Sequence, residues 1–201
     1  MIARLPPFAK GQTIGLLGGT FDPPHEGHRL ASTQALRRLR LDRLWWLVTP
    51  GNPLKSTAGL AEVDARVAAA REVAHDPRIA VTGFEAEIGS RSTYQTLQWL
   101  RRRAPGVHFV WIMGADNLGQ FHRWRRWRAI ADLAPIAVVD RPGSTLRALS
   151  GPAGTALTRW RRPEAFAARF ARLPPPAFLF LHGRRSGQSS TALRRAAKSP
   201  P

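Results

Sequence analysis

Two histidines three residues apart follow a pair of glycines in the run Gly18-Gly19-Thr20-Phe21-Asp22-Pro23-Pro24-His25-Glu26-Gly27-His28. An apolar stretch ends at the glycines, a short turn follows, and helix-compatible sequence opens at the histidines. This layout suits a phosphate. Glycines let backbone N–H groups approach an anion closely, and a helix start adds unpaired N–H groups at the positive end of the dipole. Imidazoles at i and i+3 share one helix face. There either ring donates to a phosphate oxygen or holds a proton near neutral pH. The same pair also fits a shared metal ion, but no third ligand stands nearby and the glycine turn favours an anion.

Other segments carry chemistry by type and spacing. Ser189-Ser190-Thr191 followed by Arg194 reads as a helix N-terminus. One hydroxyl there serves as an N-cap, or the group with its arginine forms an anion cradle. Gly114-Ala115-Asp116 closes the clearest apolar strand, and its carboxylate fits an ion pair or a helix cap. Lys55 lies on a loop rich in Pro and Gly, and Arg141 precedes Pro142-Gly143 at a strand end. Trp124 and Trp127, three apart, read either as a packing face or as a stacking surface for a ring.

The elements that must position these residues follow from periodicity. Apolar runs at 13–18, 44–48, 79–81, 107–113, 136–139 and 178–181 predict six strands. Helical spacing predicts helices over 27–40, 60–75, 93–103, 124–133 and 190–197. Residues 143–176, broken by Gly and Pro, read as loops with one short helix at 163–170, and the tail from Lys198 as frayed. Strands apolar on both faces that alternate with helices imply a Rossmann-like, doubly wound α/β fold. A parallel sheet with helices on both sides, in one domain over 1–201 with its core at about 13–197, is expected. Ligands bind such sheets outside the carboxyl ends of the strands. That rule gathers 18–28, 49–55, 114–116, 141–143 and 183–191 on one edge.

Composition sets outer bounds. The 201 residues carry 31 Lys and Arg against 13 Asp and Glu, a net charge of +18, with no cysteine. Disulfides, thiolate metal sites and cysteine nucleophiles are therefore excluded. The apolar runs fall short of the ~18 residues that span a bilayer, and no signal-peptide stretch opens the chain, so a cytoplasmic location is expected. The basic residues, nearly all Arg, are scattered along the chain beside abundant Ala. They read as a compositional bias on solvated faces more than as a nucleic-acid surface, although Arg101-Arg102-Arg103 and Arg123-Trp124-Arg125-Arg126-Trp127-Arg128 keep that alternative open.

The run 18–28 resembles the HxGH signature of the nucleotidyltransferase superfamily, and Ser189-Ser190-Thr191-Ala192-Leu193-Arg194 resembles its SSTxxR partner. Thr49-Pro50-Gly51-Asn52-Pro53-Leu54-Lys55, Gly114-Ala115-Asp116-Asn117 and Arg141-Pro142-Gly143 resemble segments of bacterial nicotinate mononucleotide adenylyltransferases. The likeness runs from about Thr13 to Arg194. Two departures stand out. Gln188 occupies a usually aliphatic position, and Gln95 occupies one that is usually acidic.

The resemblance implies AMP transfer from ATP to nicotinate mononucleotide, with magnesium carried on the ATP phosphates and no dedicated protein metal site. It implies His25, His28 and Arg194 as catalytic groups. ATP would be bound by Gly18, Gly19, Thr20, Phe21, His25, His28, Gly114, Asp116, Ser189, Ser190, Thr191 and Arg194. The mononucleotide would be bound by Lys55, Thr93, Trp124 and Arg141. Oligomeric state is left open. The alternatives are another acceptor, nicotinamide mononucleotide or phosphopantetheine, or a basic nucleic-acid-binding protein on the same fold.

Overall fold

Strands that are apolar on both faces need cover on both faces, and the helices supply it. The computed structural model describes residues 3–51, 59–143, 145–184, 186–188, 190, 193 and 194. In chain order these form β1 (Thr13–Gly19), α1 (Glu26–Arg38), β2 (Arg43–Val48), α2 (Val63–Ala74), β3 (Ile79–Thr82) and α3 (Phe84–Glu87). There follow α4 (Thr93–Arg103), β4 (His108–Gly114), α5 (Ala115–Phe121), α6 (Trp127–Leu133), β5 (Ile136–Val139), α7 (Thr145–Ser150), α8 (Pro152–Leu157), α9 (Ala167–Phe170) and β6 (Phe178–Leu181). Short 3-10 turns at Thr158–Trp160 and Glu164–Phe166 join α8 to α9.

The six strands make one sheet in the order β3-β2-β1-β4-β5-β6, and each neighbouring pair is parallel. The chain winds outward from β1 in one direction and then from β4 in the other. The order reverses between β1 and β4, and ligands of open α/β sheets bind at that switch point. Gly18 and Gly19 end β1 there, and Gly114 ends β4.

Alternation along the strands splits the core into two layers. In β2, Trp45 and Leu47 face the layer built with α4, α5, α6 and α8, while Leu44, Trp46 and Val48 face the one built with α1, α2 and α9. Trp45 and Trp46 are both fully buried. The expected single-domain, doubly wound fold with helices on both faces is therefore observed.

The differences lie in the short helices. α3, α5, α7 and α8 were not expected, because each spans at most seven residues and periodicity has little to act on. Gly and Pro in the 143–176 stretch do not break structure as their types suggest. Pro152 sits in the first turn of α8, where its missing N–H costs nothing. Gly154 lets that helix abut the carbonyls of Ala148 and Leu149. The helix expected from Trp124 begins at Trp127 instead, because Arg126 is left-handed, with φ 53°. Of the last expected helix, Ser190, Leu193 and Arg194 are helical; the frayed tail lies outside the described residues.

A polar bond inside the α1–β2 layer gives a test of this packing. Trp46 donates from Nε1 to Ser32 Oγ at 2.7 Å, in the layer under α1. Ser32→Ala orphans a buried indole N–H and should lower stability by about 1–3 kcal/mol in urea denaturation. An unchanged midpoint would contradict this assignment.

Candidate active site

The helix α1 begins with an unusual cap. His25 is extended, with φ −154° and ψ 166°, and its Nδ1 accepts the Gly27 N–H at 3.1 Å. His28 Nδ1 accepts the His25 N–H at 3.2 Å. This is a reciprocal capping box built from two imidazoles instead of a hydroxyl and a carboxylate. It changes the expectation of free N–H groups at this helix start, because two of those donors are already held by the rings.

The cap sets the chemistry of both histidines. A ring whose Nδ1 accepts a hydrogen bond carries its proton on Nε2 when neutral. Each imidazole therefore accepts a helix N–H at Nδ1 and keeps an N–H on Nε2 to donate. Burial pushes His25 down to about 4, helped by the Arg141 guanidinium and opposed by Asp116. Burial pushes His28 down to about 3, with His25 and Arg141 acting in the same direction and a backbone contact with His25 opposing. Both rings are neutral donors at pH 7, not proton stores near neutrality.

An aromatic stack produces that burial. Phe21, left-handed with φ 48° and 1% exposed, stacks on Trp46 with centroids 4.9 Å apart. Its other neighbour is the His28 ring at 4.6 Å, and His28 lies 3.9 Å from His25. The Phe21 ring thus buttresses the histidines, and only its backbone is left to meet a ligand. Gly18 leaves room for Trp111, whose ring would stand 2.8 Å from an added Cβ.

The structure brings distant segments to this cap. Arg141, just past β5, donates from Nη1 to the Gln188 carbonyl at 3.2 Å, and its Nε stands 4.0 Å from Asp116 Oδ1. A Cβ on Gly27 would lie 2.8 Å from both Arg141 Nη1 and His25 Nδ1, so only glycine fits between them. Arg194 donates to the Asp22 carbonyl and stands 3.7 Å from the Asp22 carboxylate, while Ser190 Oγ donates to the Pro23 carbonyl at 2.9 Å. The first and last motifs therefore meet at the turn before His25.

Asp116 lies in the first turn of α5, with its side chain 56% exposed at the sheet edge, and Gly114 caps that helix. Thr93 opens α4 behind its N-cap Ser92. Gln95 accepts from the Arg91 N–H and the Ser92 hydroxyl, a local role open to it as to the usual acid. Trp124 is half-buried and meets Phe121 and Trp111 edge-on at 5.2 and 6.3 Å, whereas Trp127 is core. Lys55, Ser189 and Thr191 lie outside the described residues.

One residue at this edge was not expected. Arg66, 3% exposed, donates to the carbonyls of Ala61, Thr20, Thr49 and Pro50. It ties the loop after β1 to the loop after β2. The signal was available: Arg66, Ala70 and Ala74 recur at i+4 on the buried stripe of α2. Among the described residues no three His, Asp or Glu side chains gather to hold a metal ion. The edge instead presents imidazole N–H groups and guanidiniums, which are phosphate ligands.

The sequence matches the cytidylyltransferase-like family over residues 16–196. A Methylorubrum extorquens protein named probable nicotinate-nucleotide adenylyltransferase is 64% identical over 90% of this chain and 98% of its own. A Bradyrhizobium protein of the same name is 58% identical over 90% and 94%. A Plasmodium falciparum nicotinic acid mononucleotide adenylyltransferase solved with NaAD shares the fold, with a TM-score of 0.67, 16% identity, and 92% and 83% coverage.

The depressed histidines predict a pH effect on folding. The unfolded chain takes up protons near pH 6.5 that the folded rings refuse until about 4 and 3. Their stabilisation is therefore complete above pH 6.5 and is lost as pH falls through that window. The loss is at most about 1.4 kcal/mol per pH unit for each ring. Denaturation at pH 7 and pH 5 should show a larger drop for the wild type than for a His25→Gln/His28→Gln double variant; equal drops would contradict the assignment.

Proposed function

The chain belongs to the cytidylyltransferase-like family and, within it, to the nicotinate-nucleotide adenylyltransferases, and from that premise we propose that this edge transfers AMP from ATP to nicotinate mononucleotide. The products are nicotinate adenine dinucleotide and pyrophosphate. The observation that carries the reading is the pair of histidines capped through Nδ1, each left with an Nε2–H donor, set beside Arg141 and close to the turn that holds Arg194, at the switch point of the sheet. A phosphate oxygen of the mononucleotide attacks the α-phosphorus in line. A new P–O bond forms there as the bond to the β-phosphate oxygen breaks. The nucleophile is already anionic, so the protein needs no strong base and acts by positioning and charge stabilisation.

In this reading His25 and His28 donate to phosphate oxygens around the α-phosphorus. As neutral rings they avoid the cost of burying two adjacent cations, yet relay the helix dipole through their capped Nδ1 atoms. Arg194, with Ser189, Ser190 and Thr191, holds the β- and γ-phosphates and the departing pyrophosphate. Gly18, Gly19, Thr20 and the Phe21 backbone line the triphosphate. Gly114 and Asp116 take the adenosine ribose, where a carboxylate accepts from vicinal hydroxyls as in dinucleotide folds. Lys55, Thr93, Trp124 and Arg141 form the acceptor side, with Trp124 stacking on the pyridine ring. Magnesium would arrive on the ATP phosphates, as it does where waters and phosphates complete its shell. There it would neutralise charge on the triphosphate. No helix among the described residues is long and apolar enough to cross a membrane, and a cytoplasmic location belongs to this proposal.

Pyrophosphate release from ATP should be fastest with nicotinate mononucleotide in a panel that includes nicotinamide mononucleotide and phosphopantetheine. His28→Ala should lower kcat roughly 10²-fold or more while leaving the mononucleotide KM nearly unchanged. Trp124→Ala should raise the KM for the mononucleotide more than that for ATP. Release with none of the acceptors, or an unimpaired His28→Ala, would sink the proposal.

A further inference from the structure

Glu85 is a buried acid to which the function proposed above gives no part. Glu85 lies in α3, on the short connection between β3 and α4, and is 6% exposed. Thr96, one turn into α4 and fully buried, donates its hydroxyl to Glu85 Oε1 at 2.6 Å. Ser90 Oγ stands 2.8 Å from the same threonine oxygen, and the Ser90 N–H donates to the Glu85 carbonyl at 2.9 Å. Residues 85–96 are thereby closed into a tied loop, and the first turn of α4 is its far end.

A second arm of Glu85 reaches the other side. The Thr49 hydroxyl, just past β2, interacts with the same carboxyl group. Thr49 Oγ1 also stands 3.1 Å from the Gly51 carbonyl. The Thr49 hydroxyl stabilises the carboxylate, and the competing form is the neutral acid. Burial favours that form and pushes Glu85 up to about 7, against the pull of the two threonine hydroxyls. The Thr49 carbonyl is meanwhile held by Arg66. Two buried side chains, one acid and one base, thus grip one residue at the mouth of the site by different atoms.

We propose that Glu85 is a positioning residue for the acceptor half of the site. Through Thr96 it holds the turn of α4 that begins with Thr93, and through Thr49 it meets the start of the segment that follows β2. This rests on the function proposed above, in which Thr93 meets the mononucleotide. Glu85 lies on the acceptor side of that division, whereas Arg66 reaches both loops. Loss of the Glu85 bonds should therefore split the two substrates.

The test is steady-state kinetics with each substrate varied in turn, on wild type, Glu85→Gln, Glu85→Ala and Thr96→Val, alongside thermal unfolding. Glutamine keeps a side-chain oxygen that accepts from Thr96, so Glu85→Gln should stay near wild type. Glu85→Ala and Thr96→Val should each raise the mononucleotide KM roughly tenfold, as the loss of about one hydrogen bond implies, while the ATP KM stays nearly unchanged. If Glu85→Ala does not fold, Thr96→Val carries the same readout. Equal changes for both substrates, or a lower melting temperature with both KM values unchanged, would overturn the proposal. A wild type that releases no pyrophosphate with nicotinate mononucleotide overturns the proposed function and this inference together, whereas an active wild type with unsplit variants overturns this inference alone.

Discussion

The reciprocal hydrogen bonds between His25, His28 and the first turn of α1 are the interaction on which this site depends. A helix N-terminus is an anion site because its N–H groups lack partners. Here two of those groups are spent on imidazole Nδ1 atoms. The partial positive charge is not lost, because each ring relays it from Nδ1 to an Nε2–H. A side chain can place a donor where backbone cannot reach, and the cap fixes which nitrogen bears the proton. The usual capping side chains, a hydroxyl and a carboxylate, would satisfy the same helix but would not present a pair of neutral N–H groups.

Much of the surrounding fold keeps that arrangement dry and aligned. Trp46 from β2 supports Phe21, and Phe21 supports His28. This stack removes water from one side of the imidazoles and so holds them neutral beside the Arg141 guanidinium. Gly27 is required by the same crowding, since Arg141 and His25 converge on the space a side chain would occupy. Arg66 and Glu85 do related work at the neighbouring loops. Both are buried and polar, and both spend their hydrogen bonds on fixing backbone or hydroxyl groups near the strand ends. Such groups are costly to bury unless satisfied, which gives the loops one preferred arrangement.

The sheet was legible because its strands are apolar on both faces and end in Gly or polar turns. Two parallel strands separated by a helix then leave little choice of topology. His25 and His28 were visible from spacing alone, and the meeting of Arg194 with their turn followed from the carboxyl-edge rule. Their tautomers were not visible, because these depend on hydrogen bonds that only the extended backbone of His25 creates. Arg66 was hidden by composition: among 31 basic residues an arginine on an Ala-rich helix reads as solvated, and only its i+4 register with Ala70 and Ala74 marks it as buried. The α7–α8 pair was missed because Gly151, Pro152 and Gly154 read as breakers, whereas they serve as a first-turn proline and a close helix approach. Gln95 shows the opposite case, a departure at one position that leaves its local hydrogen-bonding role intact.

The central claim is that the capping bonds make both histidines neutral donors with the proton on Nε2. Nitrogen-15 NMR of the histidine-labelled protein reads this directly, through the shifts of the ring nitrogens and their couplings to ring protons. At pH 7 both His25 and His28 should show an unprotonated Nδ1 and a protonated Nε2, and should keep that pattern at pH 5.5, where a free histidine is mostly charged. A proton on Nδ1 of either ring, or an imidazolium signal at pH 7, would contradict the account.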